Sequence, residues 1–266
     1  MRAVTRKPGL MRFVLLFFYL ALAAVFPPQA EADRQEVGGE TLQRYLAEME
    51  RAYQEVDDYV TIFHKQCRVK GKLHPPETIL LKFKKPFSVY MKWLASPEEG
   101  REAIYVQGRH GNKLVAHRGR FPDLTVKLDP HSYLAMRGNL RSIKDVGIGS
   151  IIKTLADSLE RYQDYPPGRI EFYDHGLVEV FGQTCRCLEV VLPEEDRSDS
   201  QEGRAMVWIS SQTGLPVRIA IWDRAGRLIE DYAFEETRLN AGLTEMDFDP
   251  ANPAYGYWSI SSSPPW

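Results

Sequence analysis

Cysteine is scarce in this chain: Cys67, Cys185 and Cys187 are the three in 266 residues. An odd count leaves at least one thiol without an intrachain partner. No excess of positive charge is present either. With 34 basic and 36 acidic residues the net charge is −2, so the chain as a whole has no general attraction to nucleic acid or to anionic lipid surfaces. No apolar run reaches the ~20 residues that a membrane-crossing helix needs; the run from Phe13 to Phe26 has fourteen. Catalytic signatures are missing as well. There is no Gly-x-Ser-x-Gly elbow and no His-Glu-x-x-His pair. The six histidines (64, 74, 110, 117, 131, 175) stand too far apart in sequence to frame a metal locally. Gly147-Ile148-Gly149 fails as a nucleotide loop because residue 152 is Ile. Asp247, Asp249 and Asn252 lack the glycine and later ligands of a calcium loop. These absences predict no metal and no cofactor.

What is present begins with an address. Arg2, Arg6, Lys7 and Arg12 precede the apolar run, and Pro27-Pro28 and a small-x-small site, Ala30-Glu31-Ala32, follow it. That order predicts a secretory leader over residues 1–32, cleaved before Asp33, and one exported domain over 33–266. An uncleaved anchor is the alternative. No cysteine follows the site for lipid attachment, and no adjacent arginine pair directs export of a folded chain. The expected destination is the periplasm or cell envelope, where disulfides persist. Cys67 is expected either to bridge to Cys185 or Cys187 or, with them, to form packed thiols. Cys185 and Cys187, two apart, leave a strand on one face.

Leu42, Tyr45, Leu46, Met49, Tyr53 and Val56 recur at helical spacing and predict a helix from about Glu40 to Val56. From Asp57-Asp58 to Leu128 the period becomes two, with turns at Glu98-Glu99-Gly100 and Arg109-His110-Gly111-Asn112, as in an antiparallel meander. Asp129-Pro130 opens a helical region. Its second part carries one apolar stripe, Ile148, Ile151, Ile152, Leu155, Leu159 and Tyr162, and Pro166-Pro167-Gly168 closes it. A second strand series follows: Ile170 to Tyr173, Leu177 to Phe181, Cys185 to Leu192, Met206 to Ser210, Leu215 to Trp222 and Leu228 to Glu235. Asp174-His175-Gly176 reads as a hairpin turn between the first two, and the polar stretch from Pro193 to Arg204 as a loop.

Two amphipathic helices against many antiparallel strands give an α+β class. Several strands are apolar on both faces, which a single curved antiparallel sheet satisfies: an unclosed half-barrel with an N-terminal helix and a central helical lid on its concave face. In that arrangement Trp93, Tyr105, Ile152, Leu155 and Trp222 are the candidates for an apolar ligand cavity.

Several stretches resemble an exported bacterial family, the domain of unknown function 1571 (DUF1571). They include Pro86-Phe87-Ser88-Val89-Tyr90-Met91-Lys92-Trp93, Gly100 to Val106, Asn112 to His117, Leu128-Asp129-Pro130 and Ala135-Met136-Arg137-Gly138. Glu230-Asp231-Tyr232, Asn240-Ala241-Gly242-Leu243, Asp247-Phe248-Asp249 and Asn252-Pro253-Ala254-Tyr255 extend the resemblance to the C-terminal part. The layout also resembles that of periplasmic lipoprotein carriers of the LolA and LolB type, which implies an apolar cavity that takes up acyl chains. The expected role is a non-enzymatic carrier or binding protein, with lipid or lipoprotein acyl chains, or envelope proteins, as partners. An envelope interaction module with a filled core and a carboxylate-dependent cell-wall hydrolase are the alternatives.

Overall fold

A computed structural model describes residues 34–121, 124–162, 165–166, 168–193 and 202–257. The leader expected over residues 1–32 lies outside the described residues. Thirteen strands form one sheet: β1 Gln35–Val37, β2 Asp58–Val69, β3 Lys72–Leu73, β4 Glu77–Lys84, β5 Ser88–Trp93, β6 Glu102–Val106, β7 Leu114–His117, β8 Val126–Leu128, β9 Glu171–Val180, β10 Gln183–Val191, β11 Glu202–Ser210, β12 Pro216–Asp223 and β13 Leu228–Leu239. Their order is β1-β9-β10-β11-β12-β13-β2-β4-β5-β6-β7-β8, with β3 beside β2, and every pairing is antiparallel. β1 and β8 end the order without meeting, so the sheet is unclosed. The helices are α1 Gly39–Gln54, α2 Tyr133–Met136 and α3 Ile148–Tyr162.

Register explains how the sheet makes a concave core. Directly opposed residues share a face. One row runs Phe234–Phe63–Ile79–Trp93, a second Leu81–Met91–Ala103–Ala116, a third Leu188–Val207–Ile219–Tyr232. All belong to one buried cluster, into which α1 presents Leu42 and Met49 and α3 presents Ile148, Ile151 and Ile152. Each such aliphatic side chain contributes ~1.5–3 kcal/mol when fully buried. The outer face carries two separate clusters. Tyr90, Ile104 and Val115 are covered by Leu243, Phe248 and Tyr257 of the C-terminal segment. Cys185, Cys187, Met206, Trp208 and Ala220 form the other.

The curved sheet with a helix across its hollow is the expected architecture, and α3 spans the expected residues. One connection differs. Asp174-His175-Gly176 is no hairpin turn: β9 runs through it, with His175 and Gly176 bulged opposite Cys187 between the pairs Leu188–Asp174 and Arg186–Leu177. Gly176 has φ +74°, and its N–H donates to the Asp174 carboxylate at 2.8 Å. A bulge uses the same residues as a turn, because both need a left-handed position. The chain reverses instead at Phe181 and Gly182, both at positive φ.

Candidate functional site

α3 is pinned to the sheet at its start. Ile148 N–H donates to the buried Tyr59 hydroxyl at 3.0 Å. A Cβ on Gly147 would lie 2.5 Å from that hydroxyl, and the residue has φ +110°, so only glycine fits without strain. Two residues later a Cβ on Gly149 would meet the Tyr53 ring at 2.6 Å, so the absence of a side chain lets α3 approach α1 closely. Burial there pushes the Tyr53 hydroxyl up to about 12 despite the Gly149 backbone hydrogen bond.

Two cavities lie beneath these helices. The larger, about 430 Å³, is bounded by α1 (Leu42, Tyr45, Leu46), α3 (Leu155, Leu159, Tyr162) and the inner face of β10–β12. The smaller, about 90 Å³, lies between the start of α3, the segment 128–147 and the inner face of β2 and β5–β7. Arg141, Thr154 and Ile219 border both. Arg141 therefore stands at their junction. Its Nη2 and Nε donate to Glu230 Oε2 at 2.7 and 2.9 Å, and its Nη1 to Thr154 Oγ1 at 3.1 Å. Burial works against the guanidinium charge, but the hydrogen bonds and charge of Glu230 outweigh it, so the pKa lies above its ordinary value.

Register shows why this pair is unusual. The inward row Val190–Ala205–Ile221–Glu230–Cys67 places a carboxylate among apolar neighbours, and its side chain is only 7% exposed. A buried carboxylate needs a partner, and Arg141, reaching in from the crossing segment, supplies it. The same segment is tied down next door. Lys65 Nζ donates to Asn139 Oδ1 and to Glu77 Oε1, and Glu77 Oε2 accepts the Trp93 indole N–H at 2.6 Å. Cys67 Sγ donates to Gly138 O at 3.4 Å.

The five residues expected at a cavity are separated by the fold. Trp93 lines the smaller cavity and Leu155 the larger. Ile152 and Tyr105 are packed in the core itself, Tyr105 edge-on to Phe87 at 5.9 Å. Trp222 lies on the outer face against the Cys185–Cys187 cluster, with the Arg204 guanidinium 4.3 Å from its ring. β12 turns Ile219 and Ile221 inward, so residue 222 takes the opposite face. Arg141, Thr154 and Glu230 did not stand out in the sequence. The available signal was Glu230 itself, an acid sharing inward parity with Tyr232 and Phe234 on one strand.

All three cysteines are buried free thiols. Burial pushes Cys185 up to about 11 and Cys187 to about 12, and raises Cys67. Cys185 and Cys187 share the outer face, as their spacing predicts, whereas Cys67 follows Glu230 in the inward row. Among the described residues no group of three or more His, Cys, Asp or Glu is placed to hold a metal, and no helix is long and apolar enough to cross a membrane.

A family model described as "Protein of unknown function (DUF1571)" matches residues 56–257. The chain belongs to the DUF1571 family. The match starts after α1 and takes in both the crossing segment and α3. No curated protein matches the sequence significantly. Solved structures with a similar layout include the Mycobacterium tuberculosis lipoprotein LppX (13% identity, 80% of this chain and 100% of that one, TM-score 0.48). MucB in the Pseudomonas aeruginosa MucA/MucB complex is another (15%, 79% and 60%, 0.43). A LolA superfamily protein from Nitrosomonas europaea is a third (12%, 78% and 97%, 0.33).

Proposed function

We propose that this DUF1571 chain is an exported, non-enzymatic binding or carrier protein that takes an apolar chain, such as the acyl chain of a lipid or lipoprotein, into the larger cavity under α3. The observation that carries this reading is that cavity. Its volume, about 430 Å³, falls within the ~300–1,000 Å³ of ordinary ligand pockets, and most of its wall is apolar side chains of α1, α3 and β10–β12, with Arg141, Asp157, Arg161 and Glu202 as the charged residues on it. Each methylene moved into such walls contributes ~0.8 kcal/mol, so a chain of moderate length binds without a specific polar anchor. Arg141 and Thr154 are the polar side chains that the cavity shares with the smaller one. The leader predicted over residues 1–32 supplies the route to the envelope.

Native mass spectrometry of the protein purified without detergent tests this. The expected result is a mass increment released by organic solvent and identified as a lipid. An empty protein that also fails to take up added fatty acid overturns it, and leaves the envelope interaction module as the better account.

A further inference from the structure

α3 and the turn before it roof both cavities in succession. Gly147, Ser150, Ile151 and Thr154 border the smaller, and Thr154, Leu155, Leu159 and Tyr162 the larger. At a rise of ~1.5 Å per residue, each run covers about 10–12 Å along the helix. The floor divides in the same way. Leu188 of β10, Val207 of β11 and Ile221 of β12 line the larger cavity, whereas Tyr232 of β13, Phe63 of β2 and Trp93 of β5 line the smaller. Ile219 of β12 borders both. The cavities therefore lie end to end beneath one helix. They meet where Thr154 from the roof, Ile219 from the floor and Arg141 from the crossing segment share their walls.

The chemistry changes at that meeting point. Arg141 gives Nε and Nη2 to Glu230 and Nη1 to Thr154 Oγ1. Thr154 Oγ1 passes its own hydrogen to Ser150 O at 2.9 Å. These donors are spent inside the protein, so the divider has nothing to offer a ligand's head group. The other end of the larger cavity differs, because Asp157 and Arg161 on its wall are exposed. A head group stays hydrated there, and an apolar tail points toward Arg141.

Resting on the carrier reading, we propose that the Arg141–Glu230–Thr154 network is a partition that limits the length of chain the protein accepts, with Arg141 as the specificity-determining residue. A tail confined to the larger cavity gains about fourfold in affinity with each methylene buried. A longer tail must pass between Arg141 and Ile219. Parting a largely buried, hydrogen-bonded ion pair forfeits about 30-fold or more, which offsets the gain from the next two or three methylenes. The smaller cavity, about 90 Å³, is thereby closed to ordinary tails.

The test titrates delipidated protein with octanoic, lauric, palmitic and stearic acid, each displacing a fluorescent fatty acid. The readout is the ratio of stearic to lauric affinity within one protein, so a general loss of affinity in a variant drops out. In the wild type, affinity should climb to about lauric acid and then level off, leaving the ratio within about threefold of unity. In Arg141→Met with Glu230→Leu, flexible apolar side chains replace the pair, and the ratio should rise about 30-fold or more. Adding Ala135→Phe, which fills the smaller cavity from α2, should return it toward the wild-type value. A ratio equal in the wild type and the double variant, or still raised with Ala135→Phe, overturns the proposal. So does a wild type whose affinity climbs unbroken to stearic acid, an outcome that depends on no variant folding. In all these cases binding of lauric acid leaves the carrier reading standing, whereas a wild type that binds no acid of any length overturns both.

Discussion

Removing the Arg141 guanidinium should damage the protein more than removing the whole ion pair. In Arg141→Met, Glu230 keeps its place in an apolar row, 7% exposed, with no cation beside it. Breaking a buried pair costs ~3–5 kcal/mol. The Arg141 side chain is 32% exposed, so water relieves part of this, and about 2–3 kcal/mol is expected. In Glu230→Leu the guanidinium is the stranded group, but it can turn toward solvent, and the cost should be about 1–2 kcal/mol. The double variant leaves two apolar side chains beside Ile219 and Ile221 and should be within about 1 kcal/mol of the wild type. The cycle therefore has a coupling energy of about 2 kcal/mol or more, read from urea denaturation midpoints with constant slopes. Additive losses, with the double variant the least stable, would refute the assignment of the pair as a mutual solution to two buried charges. The double variant should also still bind an apolar ligand, since Arg141→Met keeps that part of the cavity wall filled and apolar.

Gly147→Ala forces a methyl toward the Tyr59 hydroxyl at a positive φ, and should cost about 1–3 kcal/mol. Gly108→Ala, also at a positive φ (+84°) but with open space around it, should cost about 1 kcal/mol; equal losses would remove the argument that Tyr59 anchors α3. The thiols make a pH prediction. Because burial raises all three, the folded chain holds these protons more tightly than the unfolded chain. Their stabilising contribution is complete below the unfolded thiol range near pH ~8.5 and is lost as pH rises through the folded values of about 11 to 12. Denaturation midpoints should fall as pH rises above about 9, and a triple Cys→Ala variant should lose part of that dependence. At pH 8 iodoacetamide should label none of the three in the folded chain and all three in urea; prompt labelling of any one under native conditions contradicts its burial.

Helix α3 was legible because its apolar stripe repeats at one period and glycine and proline bound it. α1 ends at Gln54, two residues before the expected end at Val56, because the chain spends Val56 on the core and turns at Asp57 and Asp58 into β2. The meander was legible from alternation. What alternation could not give was sidedness. β12 carries Ile219 and Ile221 on one face and Ala220 and Trp222 on the other, and both faces of this sheet are covered. Trp222 and Ile221 are therefore equivalent in sequence, and only the pairing of β12 with β11 and β13 tells them apart. The site suffered from the same ambiguity. A search for large apolar side chains found two that line cavities, Trp93 and Leu155, two packed in the core and one on the outer face, whereas the junction of the cavities is marked by Arg141, paired with Glu230, 89 residues away in sequence. Local patterns cannot join residues that only sheet register and the crossing segment bring together.

If the chain is a carrier, its larger cavity is a ligand site rather than unfilled space. Its most direct test is displacement of an environment-sensitive fluorescent fatty acid from the wild type and from Leu155→Trp and Ala205→Phe variants, whose added atoms enter the cavity from α3 and from β11. Saturable binding by the wild type, lost or weakened about 10-fold or more in both variants while their unfolding stays cooperative, is the predicted result. Binding of equal strength in all three proteins, or none in the wild type, would contradict it.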